Sequence, residues 1–222
     1  TIDNDLSATE TTFGFDAAIH AATEAMDRLH TTAESHKRIM LVEVMGRDAG
    51  WIALHSGIAG GSNIILLPEI PFTVERVCEH IRKREFSGRR ATIIMVAEGI
   101  GVPKDLPPDL IEEWHRTPRR GAVSHLLAEA IIRQTQREVR VTVLGHTQRG
   151  GTPSPFDRVL STRFGVAAVE MIAQGKLGYM AAVRGEEIVS VPLEQAVARQ
   201  KLVDPNGELV RVGRSIGVCF GS

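Results

Sequence analysis

Repeated alternation of a short apolar run, a glycine turn and an amphipathic stretch predicts an α/β protein built on mostly parallel sheets. Two observations carry that expectation. The apolar runs are nearly uninterrupted, as strands buried on both faces must be, and the segments between them have apolar residues at helical spacing. No internal repeat or low-complexity tract competes with it.

In chain order, Phe15, Ala18, Ile19, Ala22, Met26 and Leu29 predict a helix over residues 15–32. The run Arg38-Ile-Met-Leu-Val-Glu-Val-Met45 reads as a buried strand ending in Gly46-Arg47-Asp48-Ala49-Gly50. A helix from Trp51 to Ile58 stops at Gly60-Gly61, and Asn63-Ile-Ile-Leu-Leu-Pro-Glu69 is the next strand. Thr73 is placed to cap a helix reaching about Phe86, before the strand Ala91-Thr-Ile-Ile-Met-Val-Ala-Glu98-Gly99. The rhythm breaks from Gly99 to Arg120, where four prolines, Trp114 and the basic cluster Arg116-Thr-Pro-Arg-Arg120 predict a long loop or lid. That cluster reads either as a solvated turn or as a flap over an anion. A helix from about Ala122 to Gln136 and the strand Val139-Arg-Val-Thr-Val-Leu-Gly145 follow. Then come a polar turn, His146-Thr-Gln-Arg149-Gly-Gly-Thr-Pro153, and a helix from Pro155 to Gln174. Gly178 to Val183 and Ile188 to Val191 read as strands, and Pro192 to Gln200 as a helix.

The 222 residues, 43% hydrophobic, suffice for one large or two small domains. With 26 basic and 27 acidic residues the net charge is -1, which supplies no overall field for nucleic acid or an anionic membrane. Cys78 and Cys219 are far apart in helix-like and strand-like runs, so buried thiols in a reducing compartment are expected. With no signal-peptide pattern and no apolar run near the roughly 18 residues of a membrane span, the cytoplasm is the expected location.

The organising stretch is the first sixteen residues. Asp3 and Asp5 lie two apart around Asn4 in a segment without helical period, followed by Thr11-Thr-Phe-Gly-Phe-Asp16. In an extended segment such a pair points the same way, one carboxylate to a substrate hydroxyl and the other to a metal or the local field. The same residues would also make a solvated turn before the helix. Downstream, the strand exits carry Gly46-Arg47, Glu98-Gly99, and His146 with Arg149-Gly-Gly151. Ligands of open parallel sheets gather at that rim. Glycines admit an anion to the backbone, Arg offers a fork for phosphate oxygens, His a switchable donor and Glu98 an acceptor for sugar hydroxyls. The set favours phosphorylated-sugar chemistry.

These residues carry a resemblance. Thr1-Ile-Asp-Asn-Asp5, Thr12-Phe-Gly-Phe-Asp16, Met45-Gly-Arg47, Pro68-Glu69, Ala97-Glu98 and Leu144-Gly-His146-Thr-Gln-Arg149-Gly-Gly151 closely resemble the phosphofructokinase family, and the likeness runs to the Arg214-Ser-Ile-Gly217 tail. The resemblance implies a glycolytic kinase that phosphorylates the 1-hydroxyl of fructose 6-phosphate with ATP or pyrophosphate and Mg2+. The Pro-rich insert places it with the longer-chain bacterial branch. His30 stands where compact allosteric members carry an effector-binding Arg. The resemblance also implies that the chain matches the carboxyl-terminal two-thirds of such an enzyme, without the amino-terminal glycine-rich loop and the Gly-Gly-Asp metal segment.

Position by position, the resemblance implies that Asp3 is the base, Thr1 bonds the transferring group, and Asp5 helps position magnesium indirectly. Ile2 lies within the substrate-binding segment. Arg47 would neutralise charge on the phosphoryl oxygens. Met45, Gly46 and Glu98 would hold the sugar. His146 and Arg149 would bind its 6-phosphate, joined by Arg38 and Arg140 from a neighbouring subunit of a homodimer or homotetramer. The implied fold is two Rossmann-like three-layer domains: residues 1–14 and 148–198 in the donor-binding domain, 15–147 and 199–222 in the sugar-phosphate-binding domain. The competing expectation is a non-catalytic sugar-phosphate-binding regulatory subunit, against which the presence of both Asp3 and Arg47 counts.

Overall fold

The computed structural model describes residues 1–116 and 123–222. Its centre is a four-stranded parallel sheet in the order β2-β3-β1-β4, formed by β1 (Ile39–Val44), β2 (Ile64–Leu66), β3 (Thr92–Ala97) and β4 (Val139–Val143). β1 and β3 are buried at every residue, which is why their sequences lack polar alternation. The register sets Val44 beside Ala97 and Glu43 beside Val143, so the exits of β1, β3 and β4 emerge together.

Helices cover both faces. α1 (Phe15–His36) packs on α2 (Trp51–Ala59), while α3 (Val74–Phe86) packs on α5 (Val123–Thr135). The chain passes from β1 to β2 through α2 and returns to β3 and on to β4 through α3 and α5. Opposite directions on opposite faces are what a single crossover hand requires. The core joins the apolar stripe of α1 (Phe15, Ala18, Ala22, Met26, Ala33) to the strands. A second, smaller cluster of Ala8, Ala182, Val191 and Ala196 lies against an antiparallel hairpin of β5 (Tyr179–Arg184) and β6 (Glu187–Pro192). α6 (Pro155–Ala173) packs on that hairpin, and α7 (Leu193–Val197) follows β6. Much of α6 is apolar yet open: Phe156, Val159, Val166, Val169 and Ile172 are all exposed.

Four differences from expectation have physical reasons. The Pro-rich stretch is not loop throughout, because α4 (Pro108–Arg116) starts on a proline, where the lost N–H costs nothing, and turns Leu110, Ile111 and Trp114 onto the core. Residues 117–122, with most of the basic cluster and the expected start of α5 at Ala122, lie outside the described residues. A further helix, α8 (Glu208–Ser215), buries Val210 and brings Gly213 against the Phe220 ring. Cys78 is buried, but Cys219 is only partly so, since it bridges Ile64 at the edge of β2. Neither cysteine is in a disulfide. Among the described residues, no helix is long and apolar enough to cross a membrane.

Several helix starts are capped by carboxylates remote in sequence. α1 begins after Gly14, which has no side chain to cap with, and Asp157 of α6 instead accepts the Gly14 and Ala17 amides at 2.7 and 2.8 Å. Asp105 accepts the Val74 and Glu75 amides of α3, each at 2.8 Å, alongside the expected Thr73 cap on Arg76 N–H. Asp157 is buried and joins α6 to α1, so Asp157→Ala removes two charge-assisted bonds and a cap together. It should cost about 2–3 kcal/mol. Urea unfolding should show a lower midpoint at unchanged slope.

Candidate active site at the strand exits

The β1 exit turns sharply. Gly46 (φ 145°) and Arg47 (φ 53°) have positive φ, and a side chain on Gly46 would come within 2.6 Å of the Ala49 carbonyl. A non-glycine residue in the left-handed region holds only where its surroundings over-determine it. Here they do so through β3: Glu98 Oε1 accepts the Arg47 amide at 2.9 Å and the Gly46 amide at 3.3 Å. Gly99 completes the fit, since a Cβ there would lie 1.9 Å from the Arg47 carbonyl oxygen.

Arg47, aimed by this turn, meets Asp3, with Nε 3.8 Å from Asp3 Oδ2. Thr1 donates its hydroxyl to the same Oδ2 at 2.8 Å and accepts the Asp3 amide at 3.1 Å. Asp3 is only 2% exposed, and its Oδ1 has no partner among the described residues. Asn4 takes a left-handed turn (φ 56°) directly after it, while Ile2 packs against the main core. Asp5 is half-buried and accepts from Gln200 Nε2 at 3.3 Å.

After β4 the chain forms a 3-10 helix, Gly145–Arg149, that carries His146 and Arg149 to the same rim. A cleft of about 350 Å³ is lined by Glu43, Met45, Arg47, Glu98, His146 and Arg149, among others. Thus Met45, Arg47, Glu98, His146 and Arg149 come together as the sequence predicts. Arg38 and Arg140 do not. Both are clasped by Glu138 where β1 and β4 begin, Arg38 Nε at 2.7 Å and Arg140 Nη2 at 2.5 Å, and they hold that carboxylate below its usual range. Six strand residues, roughly 20 Å, separate this rim from the cleft.

Two residues of the site escaped the sequence reading. Gln148, buried, accepts the Met45 amide at 2.8 Å and so ties the 3-10 helix to the β1 exit. Glu43 is a lone acid inside an apolar strand, and that isolation was its available signal. It accepts the Ser124 amide of α5 at 3.3 Å, and burial pushes its carboxyl above the ordinary range, with Glu98 adding to the effect. Lys201, from the segment after α7, donates Nζ to Asn4 Oδ1 at 2.9 Å, Thr9 O at 3.1 Å and Glu10 O at 2.8 Å. Burial lowers its pKa to about 8 against the opposing charges of Asp5 and Glu10. His30 donates to or accepts at the Gly60 carbonyl oxygen, 2.6 Å from Nε2, and packs away from this rim. Among the described residues, no group of three or more His, Cys, Asp or Glu converges on a metal position.

The class is therefore an α/β protein with a polar cleft at the carboxyl ends of parallel strands, where an acid faces a guanidinium. Residues 1–172 match the family model described as Phosphofructokinase. The ATP-dependent 6-phosphofructokinase of Chloroflexus aggregans is 52% identical over 221 residues, covering 100% of this chain and 61% of its own. The pyrophosphate–fructose 6-phosphate 1-phosphotransferase of Streptomyces coelicolor is 53% identical over 225 residues, covering 100% and 64%. Among solved structures, Saccharomyces cerevisiae phosphofructokinase aligns with TM-score 0.76 at 35% identity, covering 89% of this chain and 25% of that one. A pyrophosphate-dependent phosphofructokinase from Marinobacter aquaeolei aligns with TM-score 0.75 at 26% identity, covering 100% and 59%. The chain belongs to the phosphofructokinase family. It spans about 61% of the length of the Chloroflexus relative.

Gly99→Ala should cost about 3 kcal/mol and free the Arg47 turn, because the atom in the way is backbone rather than a flexible side chain. Calorimetric unfolding measures the first effect and faster exchange of the Arg47 amide the second. Glu43 gives a pH signature. A carboxyl whose folded pKa is raised contributes stability below its ordinary value of 4.5 and loses it as pH rises through the folded value. Glu43→Gln keeps an acceptor for Ser124 and should flatten that decline, leaving stability at pH 7 equal to or above the parent's in urea titrations across pH 4–8.

Proposed function

We propose that the enzyme containing this chain transfers a phosphoryl group from ATP or pyrophosphate to the 1-hydroxyl of fructose 6-phosphate, giving fructose 1,6-bisphosphate. The observation that carries this reading is the buried Asp3 with one carboxylate oxygen unpartnered, opposite Arg47 and beside a cleft of sugar- and phosphate-binding side chains. A buried acceptor left open among satisfied groups suits a substrate hydroxyl. The names of the Chloroflexus and Streptomyces relatives support both donors.

In this reading, Asp3 Oδ1 takes the proton of the attacking hydroxyl. Thr1 keeps Oδ2 engaged, so the carboxylate presents its free oxygen in one orientation. Thr1 bonds the transferring group once substrates are bound. Arg47, largely exposed toward the cleft, neutralises charge on the phosphoryl oxygens, the main task in a reaction governed by positioning and electrostatics. Met45, Gly46 and Glu98 hold the sugar, and Glu98 also fixes the turn that aims Arg47. His146 and Arg149 bind the 6-phosphate. Magnesium, when bound, would neutralise and orient the donor phosphates. Asp5 offers a hard oxygen that fits as an indirect contact, since this ion is commonly held by one or two carboxylates together with substrate phosphates.

Arg38 and Arg140 would complete the 6-phosphate site of a neighbouring subunit in a homodimer or homotetramer. Their location on the far rim, and the exposed Val143 on the edge strand β4, support that assignment. The domain division goes with it: residues 1–14 and 148–198 on the donor side, 15–147 and 199–222 on the sugar side, with a cytoplasmic setting that keeps both thiols reduced.

In the native full-length polypeptide, Asp3→Asn should lower kcat by at least about 10²-fold with fructose 6-phosphate affinity nearly unchanged. Steady-state kinetics beside calorimetric binding measure both, and a kcat near the parent's would remove Asp3 from the chemistry. The shared site has its own assay. Arg140→Ala and Arg149→Ala homodimers should each be impaired. Co-assembled, they should form one doubly damaged and one intact site and recover about half the parental activity per heterodimer. Absence of recovery in verified heterodimers would argue that Arg140 serves no partner.

A further inference from the structure

Lys201 is far from Asp3 in sequence and carries a set of contacts that the proposed chemistry leaves unexplained. Its ammonium has three protons, and three oxygens of the amino-terminal segment receive them: Asn4 Oδ1, Thr9 O and Glu10 O, at 2.8 to 3.1 Å. The backbone adds to the grip. Lys201 N–H donates to Asp5 O at 2.7 Å, Gln200 pairs with Leu6 in an isolated antiparallel bridge, and Gln200 Nε2 reaches Asp5 Oδ2. On its other side Lys201 is bound to the sheet. Its carbonyl accepts the Trp51 indole N–H at 2.7 Å, and its ammonium lies 5.6 Å from the centre of the Trp51 ring. Two residues on, Val203 N–H donates to Glu69 Oε1, the oxygen that also receives the Gly50 amide at the start of α2.

Trp51 is the first residue of α2, four positions after Arg47. Lys201 therefore spans from the loop that carries Asp3 to the element that continues from Arg47. Asn4, its side-chain partner, is the residue in the left-handed conformation immediately after Asp3. That conformation costs of order 1 kcal/mol and requires outside contacts to persist. The hairpin anchors the far end of the same loop, through Thr9 Oγ1 to the Val183 amide and Glu10 N–H to the Val183 carbonyl. Lys201 acts nearer the acid.

We propose that Lys201 is a positioning residue for Asp3: its ammonium holds the Asn4 turn and thereby sets the carboxylate against Arg47. The proposal rests on Asp3 being the base. Lys201 itself touches neither the cleft nor the reacting groups described above. Its loss therefore acts on the rate through geometry and spares ground-state sugar binding, which belongs to Glu98, His146 and Arg149.

The test uses Lys201→Met, which keeps the stem and removes the three donors, and Asn4→Gly, which keeps the left-handed turn and removes only the side-chain acceptor. In the native full-length polypeptide, Lys201→Met should lower kcat by about 10²-fold, the scale of an ångström's misplacement, with the KM for fructose 6-phosphate within about 3-fold of the parent's. Asn4→Gly should lower kcat by a smaller factor, and the double variant should be no slower than Lys201→Met, because both changes break one contact. On the 222-residue chain, amide exchange of residues 3–5 should quicken in both variants while the β1 and β3 amides stay protected. If Lys201→Met does not fold, Asn4→Gly decides alone. Parental kcat and parental loop exchange in Asn4→Gly, or independent multiplication of the two kcat losses, would overturn the proposal. Quickened exchange in a protein that shows no kinase activity before mutation would instead leave the clamp standing and overturn the reading of Asp3.

Discussion

The tight apposition of the β1 and β3 exits is the constraint on which the site depends. Gly99 leaves room for the Arg47 carbonyl, and Glu98, the residue before it, receives the two amides of the turn. Those contacts turn a costly left-handed arginine into the one conformation that points a guanidinium at Asp3. A surface arginine is otherwise a flexible charge whose ion pairs contribute little. Held at its backbone, it becomes part of a fixed field, and preorganised field is what phosphoryl transfer demands.

Around that turn, the fold repeatedly solves one problem: the unpaired amides at helix starts. Asp157 serves α1, Asp105 serves α3, Glu69 receives the amide of Gly50 ahead of α2, and Glu43 receives that of Ser124 in α5. Each carboxylate comes from a different element, so each cap also fixes one element against another. Asp157 ties α6 to α1, while Glu69 ties the segment after Lys201 to α2. Glu43 is the least comfortable of them. It is buried at the base of the cleft, where burial disfavours its charge, yet its partner begins the helix that follows the Pro-rich stretch.

The rims of the sheet have opposite characters. At the exits, charges stand around a cleft; at the entries, Arg38 and Arg140 share Glu138 on an edge that the chain does not cover. Parallel strands enforce that separation, because residues at the two ends of a buried strand cannot meet within one subunit. A phosphate that draws on both sets must lie between two chains.

Much was legible in the sequence for a simple reason: buried parallel strands and amphipathic helices write their periodicity into local composition. β1, β3, α1 and α3 emerge from apolar spacing alone, and the glycine and charge pairs at strand ends mark Arg47, Glu98, His146 and Arg149 because turns near anions favour those residue types. The sequence by itself thus determined the α/β class, the parallel strands and the rim at which ligands gather. What only the tertiary structure decided is everything carried by partners distant along the chain. α4 was hidden by its prolines until Leu110 and Trp114 met the core, and Gln148, Glu43 and Lys201 acquired roles only when folding delivered Met45, Ser124 and Asn4 to them. Periodicity reports which face of an element is buried; the identity of the group waiting there is set by a contact as much as 197 residues away, as Lys201 is from Asn4.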